Sequence, residues 1–471
     1  MTLRRAFRRP RTFLARAFRG LARRVEVNPN AGQAGDQWVL PVMPAWVRDE
    51  ILALSHIEPD LLDADDNMER YAFYSVPSNP MPGELYSDLL ERVGNQVYTH
   101  VFLLPWLKPG GADRGALYHM RAIMEAQPDA RILAVATEPA ESAWRDRVPD
   151  GVTYVEFGLL SKNLDFQLQV AVITRLLVQL RAPVVHIINS RVGWEAVKQH
   201  GLALRQYTRL YASLFCDDYT ERGVAVGLAR SYLRDCYPFF ERIFCDNSRY
   251  PKIWAADIGV PLGVFDVLPF PYDRTFVCRT GMGNVPSPRI LWAGRLDRQK
   301  RPDILARIAG ELPEFHFDVH GGGVIAGAEK EAAGLELLPN VTMHGVFQRL
   351  EDIVRPDHVA YLHTTAWEGL PTILFDVAAA GVPIVAPAVG GIPDFIEEST
   401  LVQNFEDVDA FAAQLRLLAS SPEERLTRQN AQYQELTSTR SWIAFVARLA
   451  ATAGYLTSRV GSTQVRAGEL A

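Results

Sequence analysis

One stretch orders the rest of the chain: Glu368-Gly-Leu-Pro-Thr-Ile-Leu-Phe-Asp376-Val-Ala-Ala-Ala-Gly381-Val-Pro383. Pro371 suits the first turn of a helix, Gly381 suits the residue just past its end, and Pro383 stops continuation. The spacing predicts a helix over 371–380, about 15 Å long at the usual rise. Its N-terminus presents free N–H groups and the positive end of the helix dipole, behind a glycine that lets a ligand approach the backbone. Such an end attracts an anion. Glu368 precedes the helix and Asp376 lies inside it, so the two carboxylates do not form one tight pair. They suit holding hydroxyls on either side of a bound phosphate better than sharing a proton.

Upstream, Gly294-Arg295-Leu-Asp-Arg-Gln-Lys300-Arg-Pro302 follows the apolar run 289–293. Arg295 would leave the carboxyl end of that strand, and Lys300 would come from the loop opening the next helix. A forked guanidinium beside a point ammonium suits a diphosphate. Arg298 and Arg301 read as surface charges.

The pairing of G-R-L-x-x-x-K with E-G-L-P-x-x-x-x-[DE]-x-x-A-x-G-x-P resembles the retaining glycosyltransferases of family 4, of the type that builds bacterial polysaccharide and cell-surface glycans. The likeness runs over roughly 97–455 and implies the GT-B fold. It implies that Arg295 and Lys300 bind the donor diphosphate, that Glu368 contacts the transferred sugar and that Asp376 holds the ribose. Gly294, Gly369, Leu370, Pro371 and Thr372 would line the donor site. It further implies no cofactor, with the nucleotide-sugar as substrate, and no metal, because cations and helix dipole meet the phosphate charge. Asp376 departs from the usual Glu by one methylene, so the ribose contact is expected to weaken or shift.

Working outward, short apolar runs alternate with helical patterns at 97–104, 131–136, 153–157, 184–189, 208–215 and 242–245. A Pro/Gly-rich break follows, and a second series runs through 289–293, 315–319, 341–345, 358–363 and 384–386. Alternation of this kind predicts α/β architecture: two doubly wound, Rossmann-like domains whose strand ends face a cleft. The expected divisions are a basic arm at 1–30, an N-terminal extension at 31–95, an acceptor domain at 96–270, a donor domain at 289–437, and a C-terminal helix at 438–458 returning to the first domain.

In the first domain, Gly110-Gly111 opens a helix and lets backbone approach a phosphate or sugar. The loop from Gly110 to Arg114 also resembles the family's first glycine loop. The family's His-x-His and His-Asp positions are not matched: His186 is followed by Ile187 and Ile188, and Cys216-Asp217-Asp218 follows the 208–215 run. A histidine within a strand reads as a core residue. His119, Asn189, Asp217 and Asp218 are the acceptor-side candidates.

Composition narrows the classes. Of 471 residues, 48% are hydrophobic and the net charge is −6, which excludes wholesale disorder. Four cysteines, Cys216, Cys236, Cys245 and Cys278, without a C-x-x-C pair exclude a disulfide scaffold and suit a reducing compartment. No apolar run approaches a membrane span. Residues 1–24 carry nine arginines and no acid; removing them leaves 40 basic against 55 acidic residues. Leu14, Phe18, Leu21 and Val25 fall on one helical face among these arginines, a composition that settles on an anionic membrane surface. A transit peptide, a polyanion-binding arm or a plain solvated tail share that composition. No nucleic-acid platform accompanies it. Gly321-x-Gly323-x-x-Ala326 lacks the acid of a dinucleotide fingerprint, and Asp63-x-Asp65 and Asp407-x-Asp409 do not follow strands at a sheet edge.

The expected function is a cytoplasmic transferase, peripheral on the inner membrane face through residues 1–26. It would move a sugar from a nucleotide-diphospho-sugar to a glycan or lipid-linked acceptor. A nucleotide-sugar epimerase of the same fold and a non-catalytic carbohydrate-binding subunit are the alternatives.

Overall fold

A computed structural model describes residues 45–58, 81–272, 288–322 and 334–456. The arginine-rich arm, Asp63-x-Asp65 and most of the 321–326 glycine segment lie outside them. The chain divides into two compact units, Met1–Asn79 and Pro80–Ala471. Within the first, the helix Ala45–Ser55 is described. Among the described residues no helix is long and apolar enough to cross a membrane.

The second unit holds two parallel sheets. Strands β1 (His100–Leu104), β2 (Ile132–Ala136), β3 (Thr153–Glu156), β4 (Val184–Ile188) and β5 (Arg209–Ser213) belong to the first. A two-residue pair, β6 (Asp218–Tyr219) and β7 (Ala225–Val226), forms an antiparallel hairpin of its own, before β8 (Phe240–Cys245) and β9 (Phe265–Val267) complete the first sheet. The second sheet comprises β10 (Arg289–Ala293), β11 (His316–His320), β12 (Val341–Gly345), β13 (His358–Leu362) and β14 (Ile384–Val385). The spatial orders are β3-β2-β1-β4-β5-β8-β9 and β12-β11-β10-β13-β14. Both reverse direction beside their first strand, so β1/β4 and β10/β13 are the switch points at which such sheets take ligands. This is the GT-B arrangement of two Rossmann-like sheets.

The strands are buried on both faces, which explains their continuous apolar text rather than an alternating one. Leu85, Leu89 and Val93 of the helix Met81–Val93 enter the core of the first sheet, so this part of the expected N-terminal extension packs with the sheet. A second cluster runs without interruption from Phe102 and Phe244 through Phe270 and Tyr455 to Leu370 and Phe375, joining the two sheets. In the second sheet, Asp318 on β11 accepts two hydrogen bonds of 2.6 Å from Arg289 on β10, one from His344 on β12 and one from His358 on β13. Burial alone would raise that carboxyl; His358, Arg289 and His344 hold it far below its ordinary range.

The C-terminal helix Trp442–Ala451 lies on the helix Gly111–Ala126, with Arg121 4.2 Å over the Trp442 ring. Beyond it, Tyr455 enters the first sheet's core. Its hydroxyl lies 2.8 Å from both His119 Nδ1 and His186 Nδ1, and His186 Nε2 lies 2.8 Å from Ser213 Oγ. Burial pushes His119 down to about 3 and His186 well below its ordinary value, so both rings are neutral.

Candidate active site

The carboxyl ends of β10 and β13 carry the residues the motifs singled out. Gly294 follows β10; its N–H donates to the His320 carbonyl (3.0 Å), and a Cβ on Gly321 would lie 1.8 Å from the Gly294 carbonyl oxygen. Gly321 has φ +145°, so this close crossing of loops needs glycine on two counts. The following loop is laced to the one after β13. Thr364 Oγ1 donates to the Lys300 carbonyl (2.7 Å) and accepts from the Trp292 indole N–H (2.9 Å), while the Ala366 N–H donates to the Gln299 carbonyl (2.9 Å).

This lacing brings Lys300 and Glu368 together as an ion pair, with side chains only 12% and 10% exposed. Thr365 Oγ1 donates to Glu368 Oε1 at 3.0 Å, and His363 Nε2 lies 3.7 Å from the same oxygen. Burial would raise the Glu368 carboxyl, but the Lys300 ammonium and His363 overcome it and hold the group at about 2. The Glu368 backbone is fixed from behind. Gly391 N–H donates to the Gly369 carbonyl (2.7 Å), and a Cβ on Gly390, at φ +52°, would sit 1.8 Å from the Glu368 carbonyl oxygen. Arg295 stands at the rim, 47% exposed, 3.3 Å from Asp297 and bonded to Gln299 Oε1.

The helix after the motif is shorter than expected, Ile373–Ala379. Pro371 and Thr372 form a tight turn instead, because the first amides bond three residues back, Leu374 to Pro371 (3.1 Å) and Phe375 to Thr372 (3.2 Å). The far end closes as expected: Gly381 has φ +68°, its N–H donates to Ala378, and Val382 N–H reaches back to Val377. The free amides expected beside Glu368 are also partly engaged. Leu370 N–H donates to Asp246 Oδ2 (2.9 Å), and the Gly369 amide is directed to the Cys216 sulfur. Asp246, from the end of β8, is raised by burial to about 7.

From the first sheet's side, Gly110 and Gly111 open their helix against this turn; a Cβ on Gly111 would lie 3.5 Å from Thr372 Cγ2. Arg114, four residues into the same segment, reaches Asp376 Oδ2 at 3.2 Å. Arg298 is no plain surface charge. It donates to the Tyr219 carbonyl of the β6–β7 hairpin and covers the Trp367 ring at 5.3 Å, while Tyr219 and Trp367 lie 5.4 Å apart. Arg301 pairs with Asp303 and Glu406.

The acceptor-side candidates divide. Asn189 follows β4 at φ +53°, a half-buried residue at the first switch point, and Asp218 is exposed on the hairpin. Two others need correction. Asp217 is buried between Arg230 (2.7 Å) and the Trp254 indole N–H (2.9 Å), a structural anion rather than a cleft residue. His119 is 1% exposed and committed to Tyr455, so it does not point into the cleft. Residues to which the sequence reading gave no role are His363, Asp246, Arg114 and Gly390. Strand-end position could have flagged His363 and Asp246, but Arg114 and Gly390 act through partners distant in the chain.

Residues 287–421 match the family model described as glycosyl transferases group 1. D-inositol 3-phosphate glycosyltransferase of Mycobacterium marinum is 29% identical over 203 residues, covering 41% of this chain and 42% of that protein. The O-antigen biosynthesis glycosyltransferase WbnH of Escherichia coli is 28% identical over 121 residues, 25% of this chain and 34% of that one. The chain thus spans less than half the length of these curated relatives. Among solved structures, Anabaena HepE in complex with UDP and glucose superposes with a TM-score of 0.58 at 16% identity, over 75% of this chain and 99% of that one. Sucrose-phosphate synthase of Thermosynechococcus elongatus gives 0.58 at 15% identity, over 75% and 97%. These structural likenesses establish the fold.

Proposed function

We propose that this chain is a retaining glycosyltransferase that moves a sugar from a nucleotide-diphospho-sugar to a glycan or lipid-linked acceptor. The observation that carries the reading is the Lys300–Glu368 pair at the β10/β13 switch point, with Arg295 on its rim. A matched family segment over 287–421 and relatives named as glycosyltransferases support it.

In this reading Arg295 and Lys300 meet the negative charge that grows on the departing diphosphate, which lowers the barrier where charge develops. Glu368 accepts from hydroxyls of the transferred sugar. Asp376, oriented by Arg114, takes the ribose. The acceptor enters from the side of Asn189, Asp218 and the β6–β7 hairpin. Its hydroxyl attacks the anomeric carbon from the face that the diphosphate leaves, and its proton passes to a phosphate oxygen. Cationic side chains supply the charge balance, so no metal is required by this scheme.

A thermal-shift screen of UDP, GDP, dTDP and ADP tests nucleotide binding, since a ligand at about 100 times its Kd adds about 2.7 kcal/mol. Transfer from the matching donor sugar should then fall severely in Arg295→Ala and in Lys300→Ala. Near-normal turnover in both variants would overturn the assignment.

A further inference from the structure

His363 follows β13 and is 2% exposed, yet its Nε2 has no hydrogen-bond partner. What faces its two nitrogens is unusual. Nε2 points toward Glu368 Oε1 at 3.7 Å, a carboxylate oxygen that can only accept. Nδ1 lies 3.4 Å from the Tyr361 hydroxyl oxygen, and that hydroxyl already donates its proton to the Ala293 carbonyl at 2.8 Å. Both ring nitrogens therefore face acceptors. A neutral imidazole can donate from only one of them, whereas an imidazolium donates from both.

Lys300 stands in the way of that second proton. Burial lowers the ring's proton affinity first, and the nearby Lys300 ammonium lowers it further, while Glu368 works in the opposite sense. The charged and titratable groups facing the ring are Lys300 from the β10 loop, Glu368 from the β13 loop, and Tyr361 on its own strand. Cys216 and Asp246, from the ends of β5 and β8, stand beyond Glu368.

The two members of the ion pair differ in freedom. Glu368 is held by Thr365 and by the Gly390 crossing behind its carbonyl. Lys300 is fixed through its backbone, by Thr364 at its carbonyl and Asp297 at its N–H, but its ammonium sits on a flexible four-carbon stem. An anionic diphosphate can draw the ammonium away without moving the carboxylate. Glu368 would then be a buried charge that has lost its cation, a costly arrangement.

We propose that His363 replaces Lys300 as the counter-cation of Glu368 when a nucleotide diphosphate engages the lysine, so that nucleotide binding carries a proton into the site. This rests on the transferase reading above. His363 is thereby a positioning residue: it keeps Glu368 ionised and aimed while Lys300 serves the phosphate. The proton comes from solvent, lands on Nε2 and is donated toward Glu368 Oε1; no bond other than N–H is made. Binding that takes up a proton weakens as pH rises, the opposite of what ionisation of the phosphate alone would give.

The test is titration calorimetry of the full chain with UDP, GDP, dTDP and ADP at pH 7, repeated in buffers of different ionisation enthalpy. The slope of observed enthalpy against buffer enthalpy counts protons. For the wild-type protein it should approach one proton taken up per nucleotide bound. His363→Asn, which can donate but cannot titrate, should bind more weakly with uptake near zero; His363→Gln provides a second, longer replacement. Nucleotide binding without proton uptake in the wild-type protein overturns the proposal, as does unchanged uptake in a folded His363 variant. If none of the nucleotides binds, the transferase reading falls and takes this assignment with it.

Discussion

Replacing Lys300 by Met keeps most of the stem and removes the cation from a pair whose side chains are 12% and 10% exposed. The Glu368 carboxyl is held at about 2 against an ordinary 4.5, although burial pushes it upward. That difference of about 2.5 pH units, at 1.36 kcal/mol each, is worth about 3 kcal/mol, within the range of roughly 3–5 kcal/mol for removing one partner of a buried pair. The folded-state value is depressed, so the contribution is complete above about pH 4.5 and drains away as pH falls toward 2. The assay is urea unfolding followed by tryptophan fluorescence, with Trp292 bonded to Thr364 beside the pair. At pH 7 the Lys300→Met protein should lose up to about 3 kcal/mol, reduced by whatever a proton taken up on His363 restores to Glu368. Lys300→Met combined with Glu368→Gln removes both charges and should recover most of that loss. A double variant as unstable as the two single losses added together would refute the claim that an orphaned carboxylate is the cause.

Two further substitutions test the supports of the site. Gly390→Ala places a Cβ 1.8 Å from the Glu368 carbonyl oxygen at φ +52°, so it should displace the Glu368 loop and lower both the melting temperature and nucleotide affinity; a protein unchanged in both would contradict the packing described. Tyr455→Phe removes the hydroxyl bonded to His119 and His186, and it should cost roughly 2–4 kcal/mol in urea unfolding, on the scale of buried polar groups left without partners. A loss under about 0.5 kcal/mol, as at an ordinary surface position, would show that the C-terminal segment is not held there.

The fold was legible because both sheets are parallel and covered on both faces, which writes each strand as a short apolar run between helical patterns. β9, with only Phe265–Val267, and the two-residue strands of the hairpin carry too little text for that signal. Lys300, Glu368 and Arg295 were legible for a related reason: polar residues at the carboxyl end of a strand beside a switch point are already placed by topology. What sequence could not supply was the partner of each polar group. His119 and Asp217 look available in the text. Each is spent on a residue far along the chain or on a neighbouring helix, Tyr455 for one and Arg230 with Trp254 for the other. The helix at 373 begins later than Pro371 implies because its first turn tightens, with Leu374 and Phe375 bonding three residues back.

Those partners change what ligand binding demands here. In this structure Lys300 faces Glu368, Asp376 faces Arg114, Leu370 N–H faces Asp246, and Arg295 faces Asp297. On the transferase reading, a donor would not enter a set of waiting charges; it would exchange with ones the protein supplies. Each exchange releases a carboxylate or a cation that must find a new partner in a partly buried place. On the proposed reading Asp376 would share Arg114 with a ribose hydroxyl, and Asp297 stands beside the exposed Arg295, where water can serve. Glu368 has neither option, being buried and held by Thr365 and Gly390. The one titratable ring beside it with an unfilled nitrogen is His363 among the described residues. On that reading the chemistry of the site would turn on a pair of exchanges at one carboxylate, with the proposed protonation of His363 making them compatible.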